Sequence, residues 1–229
     1  MTAARAVLLD LDGTLVDTPS AILAGFRAAC SPHGAVPLPD DARSLIGRPL
    51  DDIFPVLLPG LGPAVWEEAK GVFRAAFAQH TLSVAESLVF PGVPALLEDL
   101  AAGGASLAVV TSKVTASARE LLDASGLSPL VGLVVGHDQA ERGKPAPDPA
   151  LLAASLLGLR PDECVVVGDS TDDVAMAVAA GAPAIGVTWG VGGREALREA
   201  GAAAVADTVS DLVTLLRDLT PTTAKEATR

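Results

Sequence analysis

Residues 6–15 read AVLLDLDGTL, and their interpretation decides the fold. The run 6–11, AVLLDL, is apolar with no polar face, which is the pattern of a strand covered on both sides. It carries Asp10 near its end and stops at Asp12-Gly13-Thr14. Asp17-Thr18-Pro19 then offers a helix cap followed by a first-turn proline, and helical spacing runs over residues 21–30, with Gly34 beyond it. A strand feeding a helix through a short polar turn is the start of an α/β arrangement.

Further along, from Gly34 to residue 87, the pattern is helix and loop with no convincing strand. Trp66, Phe73 and Phe77 fall at helix-compatible spacing, as the packing face of a small helical unit. After Phe90-Pro91-Gly92 the character changes. Strand patterns at residues 106–110, 130–135, 164–167 and 184–187 alternate with helical patterns at 93–101, 116–124, 148–157, 170–180 and 208–218. Such alternation predicts βαβ units and a doubly wound, Rossmann-like parallel sheet. The helical stretch is then an insertion: residues 1–16 and 89–229 form the core domain and 17–88 a helical cap domain. Residues 220–229 read as a frayed tail.

Composition bounds the function. The 229 residues are 50% apolar and 19% charged, as in a globular protein, and the net charge is −12. That balance excludes nucleic acid and anionic membrane as main partners, since both require basic patches. No uncharged apolar run approaches ~18 residues and no secretory pattern opens the chain, so the expected location is cytoplasmic. Cys30 and Cys164 match no ligand or redox spacing and read as reduced thiols. The oligomeric state is not legible. An anionic substrate would need a local device: a metal ion, a lysine or backbone N–H groups.

Ligands of open parallel sheets bind beyond the carboxyl ends of the strands. Four such places carry polar residues here: Asp10 and Asp12; Thr111 and Ser112; Lys144; Asp169 and Asp173. Several carboxylates in one crevice repel each other unless a hard cation such as Mg²⁺ lies between them. Lys144 adds positive charge, with Pro145 restricting its backbone to an extended form. Thr111 supplies a hydroxyl, and Ser112 a backbone N–H at the start of the following helix. With Gly13, which permits a sharp turn and close backbone approach, these make a phosphate cradle. Asp10 then reads as a nucleophile, its repulsion from a phosphoryl group offset by Mg²⁺ and lysine. Asp12 reads as the acid that protonates a leaving alkoxide and the base that activates water.

Each residue has an ordinary reading too. Asp12-Gly13 is also a turn pair, Ser170 to Asp173 fits a capping box, and Thr111 could cap a helix. Asp17 and Asp148 read as caps. His33, His80 and His137 lack partners at ligand spacing and read as surface or packing residues. Gly190, Gly192 and Gly193 read as a flexible turn rather than a phosphate loop.

Taken together, the motifs resemble the haloacid dehalogenase superfamily of phosphatases. Asp10-Leu11-Asp12-Gly13-Thr14-Leu15 resembles its DxDGT signature, and Thr111-Ser112 its second motif. Lys144 in GKPAPDP resembles the third, and Gly168-Asp169-Ser170-Thr171-Asp172-Asp173 the GDxxxD fourth. The resemblance implies strand order 5-4-1-2-3 and a helical cap inserted after the first strand. It implies Mg²⁺ held by Asp10, the backbone carbonyl of Asp12, and Asp169, with Asp173 positioning metal-bound water or Lys144. An aspartate at position 12 implies phosphate-ester chemistry on a small phosphorylated metabolite, because the dehalogenase and phosphonatase branches lack it. DGTLVDT, GKPAPDP and Val187-Thr188-Trp189-Gly190 are most similar to the phosphoglycolate phosphatase-like branch. Within the cap, Arg48 in Ile46-Gly47-Arg48-Pro49-Leu50 offers a planar fork for a substrate carboxylate, or is a solvated arginine. The alternatives are a phosphomutase of the β-phosphoglucomutase type, a pyrophosphatase, and, from another class, a phosphoacceptor signalling module.

Overall fold

The computed structural model describes residues 5–219; the tail read at 220–229 lies outside them. Six strands form one sheet in the order β3-β2-β1-β4-β5-β6. They are β1 Ala6–Leu9, β2 Ser106–Val110, β3 Leu133–Val135, β4 Cys164–Gly168, β5 Ala184–Val187 and β6 Ala204–Ala206. Every neighbouring pair is parallel. The expected order of five strands is present, and β6 extends it at the β5 edge. Three residues, AVA, are too few to display a strand pattern in sequence, so β6 emerges only from its pairing with residues 185–187. Likewise β3 is shorter than the 130–135 run, because Ser128–Leu130 winds into a 3₁₀ turn first.

Strand side chains alternate between two cores. Val7, Leu9, Val109, Val165 and Val167 face one side, where α6 (Val93–Ala102), α7 (Thr115–Ala124) and α11 (Val209–Leu219) supply Leu97, Leu121 and Leu216. Ala6, Leu8, Val110, Val166 and Ala184 face the other, against Ala153 of α8 (Asp148–Leu156), Met176 of α9 (Thr171–Ala180) and Leu197 of α10 (Arg194–Glu199). Alanines and valines dominate that second interface, which lets helix and sheet approach closely.

Between Val16 and Val89, which form an antiparallel bridge, the chain contains helices and no strand. These are α1 Pro19–Cys30, α2 Pro39–Arg43, α3 Leu50–Leu57, α4 Pro63–Thr81 and α5 Ala85–Leu88. The outgoing and returning chains run side by side: Asp17 N–H donates to Leu88 O at 2.7 Å and Phe90 N–H to Leu15 O at 3.1 Å. Phe26, Phe73 and Phe77 stack in series, with centroids 5.1 and 6.1 Å apart, and Phe54 meets Phe26 edge-on at 6.4 Å. The helical segment thus has an aromatic cluster that is continuous with the core on one face of the sheet.

Candidate active site

The strand ends bring most of the polar residues picked from sequence into one place. Asp10 follows β1 directly, with its N–H still bonded to Val167 O at 2.9 Å. Its Oδ1 accepts from Lys144 Nζ at 2.6 Å, and the same ammonium donates to Asp173 Oδ1 at 2.5 Å. Lys144 comes from the loop after β3, and its peptide bond to Pro145 is cis. Asp169 stands at the end of β4. Thr14 donates to its Oδ1 at 3.1 Å and Val191 N–H to its Oδ2 at 2.8 Å. Single carboxylate oxygens of Asp10, Asp169 and Asp173 all lie within 4.8 Å of one another, and all three residues are buried.

That crowding decides the electrostatics. Burial drives the Asp10 carboxyl well above the usual range, and although Lys144 pulls it down, the charges of Asp173, Asp169 and Asp12 push it further up. Burial, and then Asp173, lift Asp169 to about 7. For Lys144 burial works against the ammonium, yet Asp10 and Asp173 overcome it and hold its pKa above the ordinary lysine value. One buried ammonium among three buried carboxylates leaves a charge deficit that a hard divalent cation fits, with carboxylate oxygens as its preferred ligands.

Asp12 is directed elsewhere. Thr18 donates to its Oδ1 at 2.6 Å, and Lys113 Nζ lies 3.2 Å from its Oδ2. Its side chain therefore faces the inserted helices rather than the carboxylate cluster. Lys113 is a residue sequence reading missed, although it directly follows Thr111-Ser112. Its ammonium sits 3.6 Å above the Phe77 ring. Phe77 is therefore both a core residue and part of the site wall.

Ser112 differs from expectation. The helix after β2 begins at Thr115, so Ser112 lies three residues ahead of it, and its hydroxyl donates to Gly47 O at 2.5 Å. Thr111 is not a cap either, since its Oγ1 accepts from Lys113 N–H at 3.2 Å, while Thr115 N–H is taken by Asp138 at 2.6 Å. Gly13 adopts φ +86°, and a Cβ there would run into the Asp169 carboxylate. Arg48 is half-exposed, with its Nε 3.6 Å from Asp172 Oδ2.

Several ordinary readings need revision. The capping box at Ser170 and Asp173 exists, yet Asp173 also serves Lys144, so one residue does both. The glycine turn is pinned, not loose: Gly192 N–H donates to Asp169 O at 2.8 Å, and Trp189 Nε1 to Thr14 O at 3.1 Å. His137 faces Asp51 at 3.5 Å and lines the same cavity as Asp10. Thr18, not Asp17, is the N-cap residue of α1, and Asp148 is clamped by Arg142 at 2.8 and 3.1 Å.

Carboxylates, a buried lysine and hydroxyls gathered beyond the carboxyl ends of a parallel sheet stand where α/β enzymes bind their ligands, and they offer partners to both an anion and a cation. Comparison with known proteins is more specific. The family model described as haloacid dehalogenase-like hydrolase matches residues 7–187. A probable phosphatase, IndB, of Dickeya dadantii is 42% identical over 212 residues, covering 90% of this chain and 91% of that protein. The phosphoglycolate phosphatase of Salmonella typhimurium is 31% identical over 242 residues, covering 93% and 92%. The crystal structure of a hydrolase from Pseudomonas syringae superposes with a TM-score of 0.85 at 26% identity, over 95% of this chain and all of that one. The chain belongs to the haloacid dehalogenase-like hydrolase family.

Proposed function

We propose that this protein is a Mg²⁺-dependent phosphatase that hydrolyses a small phosphate monoester through an aspartyl-phosphate on Asp10. The enzyme class, phosphoric monoester hydrolase, follows from the family and from relatives named as phosphatases. The observation that carries the finer reading is the buried triad Asp10, Asp169 and Asp173 with its single ammonium. Asp10, Asp169 and the backbone carbonyl of Asp12 are the proposed Mg²⁺ ligands, and Asp173 holds Lys144 in place. When bound, the ion offsets the repulsion between the carboxylates and the phosphoryl oxygens.

Asp10 attacks phosphorus with a free carboxylate oxygen while the ester P–O bond breaks, and Asp12 gives its proton to the departing alkoxide. Asp12, now ionised, takes a proton from a water molecule as that water attacks the acyl-phosphate, releasing inorganic phosphate and restoring Asp10. Lys144, the Thr111 hydroxyl and the backbone N–H of Ser112 hold the phosphoryl oxygens, while the Gly13 N–H, bonded to Val16 O at 2.8 Å, closes the turn that lets the backbone approach them. The Ser112 hydroxyl is already committed to Gly47, which leaves its N–H for this task.

The helical segment 17–88 acts as a cap domain over the core formed by 1–16 and 89–229. Ser112 to Gly47, Arg48 to Asp172, and Arg43 to Gly190 O at 3.1 Å tie the two together. Arg48, on the exposed side of the cavity, is the cap residue placed to meet a distal polar part of a substrate. The sequence relationship favours the phosphoglycolate phosphatase-like branch, with a small phosphorylated metabolite as substrate. No helix among the described residues is long and apolar enough to cross a membrane.

The test is phosphate release from p-nitrophenyl phosphate and acetyl phosphate. Activity should vanish in excess chelator, return with Mg²⁺ and be inhibited by Ca²⁺, whose longer and more numerous oxygen contacts would capture Asp10 as a ligand. Full turnover in excess chelator would contradict the reading.

A further inference from the structure

The site does not end at the carboxylates. A cavity of about 140 Å³ opens from Asp10 and Asp12 into the inserted helices. Beyond Lys113 one part of its wall is apolar, Phe26, Phe73 and Phe77 with Leu50, Ile53 and Leu82, while Asp51, Arg74, Glu120 and His137 also line the cavity. The three rings form a stepped, nearly parallel surface, with interplanar angles of 28° and 22° between successive rings. Asp12, the proposed leaving-group acid, is joined to that surface by one residue, since Lys113 touches both Asp12 and the Phe77 ring. An ester oxygen within reach of Asp12 therefore directs the group attached to it at the phenyl wall.

Several charges in the wall are matched: Lys113 is paired with Asp12, Arg48 with Asp172, and Asp51 with Lys70 and His137. A carboxylate placed close to the ester oxygen would lose its hydration against the phenyl rings. A neutral ring loses nothing there and gains by burial. Leu, Ile and Phe are the lining of a cavity that holds benzene.

We propose that the leaving group has a neutral, ring-sized apolar body, seated against Phe77 and Phe73, rather than a second anion next to the ester oxygen. The inference rests on the phosphatase reading above and specifies its substrate class. Hydrolysis of such an ester uses the steps already given: the P–O bond breaks, Asp12 protonates the departing alkoxide, and water completes the turnover.

Benzyl phosphate and ethyl phosphate test it, because both release a primary alkoxide that needs the same proton. With purified full-length protein and Mg²⁺, kcat/KM for benzyl phosphate should exceed that for ethyl phosphate by about 30-fold, the benefit of burying one ring. Phosphoglycolate should not exceed ethyl phosphate. Phe77→Ala should reduce the benzyl-to-ethyl ratio by about 10-fold and Phe77→Leu by less, but the wild-type ratio decides the question even if neither variant folds. No preference for benzyl, or faster turnover of phosphoglycolate than of benzyl phosphate, would overturn the inference and leave the phosphatase reading standing. Absence of phosphate release from every ester, p-nitrophenyl phosphate included, would instead overturn the reading on which it rests.

Discussion

Asp173 divides its carboxylate between two partners, and the one that matters to the site is Lys144, 2.5 Å from Oδ1. Oδ2 accepts from Ser170 N–H at 3.1 Å and from the Ser170 hydroxyl at 2.6 Å, closing the cap of α9. The helix start thereby fixes the lysine, and the lysine fixes Asp10.

The two halves of that arrangement should separate by mutation. Ser170→Ala removes a capping hydroxyl and should cost about 1 kcal/mol. Asp173→Ala takes away the cap and strips a buried ammonium of one of its two anions, so it should cost ~3 kcal/mol or more. Urea unfolding of both variants measures the difference. Equal losses would mean that the Lys144 contact contributes nothing to stability.

The carboxylate cluster sets a pH dependence with a definite sign. Asp169 is raised to about 7 from 3.8, and Asp10 shifts in the same direction. A raised acid contributes stability that is fully present below the unfolded value, near 3.8, and lost as pH climbs through the folded value. The metal-free protein should therefore lose stability between about pH 4 and about pH 7, as these carboxylates ionise against one another. Mg²⁺ should raise the melting temperature more at about pH 8 than at about pH 5, since at low pH it competes with protons for Asp169. Thermal unfolding with and without Mg²⁺ across that range reads the effect. A larger increment at low pH would contradict it.

The glycine turn after β5 makes a third prediction. A Cβ at Gly190 would meet the Asp169 carboxylate, whereas a Cβ at Gly193 meets nothing within 4 Å. Gly190→Ala should displace Asp169 and weaken the apparent Mg²⁺ affinity by about 10-fold or more, as loss of a supporting partner does at metal sites. Gly193→Ala should leave it near wild type. Titration of the Mg²⁺-induced rise in melting temperature compares them. Identical affinities would show that the turn does not support Asp169.

Much of this was legible in the sequence for identifiable reasons. Strands β2 and β5 are legible at 106–110 and around 184–187 because each is a short run dominated by small and aliphatic residues that stops at a threonine, Thr111 or Thr188. The carboxylates were found because strand ends of a parallel sheet are few and their polar residues stand out against valine and alanine. What escaped was long-range side-chain geometry. Lys113 is one more surface-type lysine in sequence, and only folding places it between Asp12 of the core and Phe77 of the inserted helices. Gly190 carries no sign that Asp169 occupies the space where its side chain would be. His137 looked solitary because its partner, Asp51, lies far away in sequence on α3.

The central claim is that Asp10 carries the phosphoryl group. It is tested most directly by mixing the Mg²⁺-loaded protein with acetyl phosphate, quenching in acid within the first turnover, and locating the adduct by peptide mass spectrometry. A labile, hydroxylamine-sensitive phosphoryl group on Asp10, absent from a folded but inactive Asp10→Asn variant, is the predicted result. Retained turnover by Asp10→Asn, with no adduct at Asp10 in the wild type, would contradict the account.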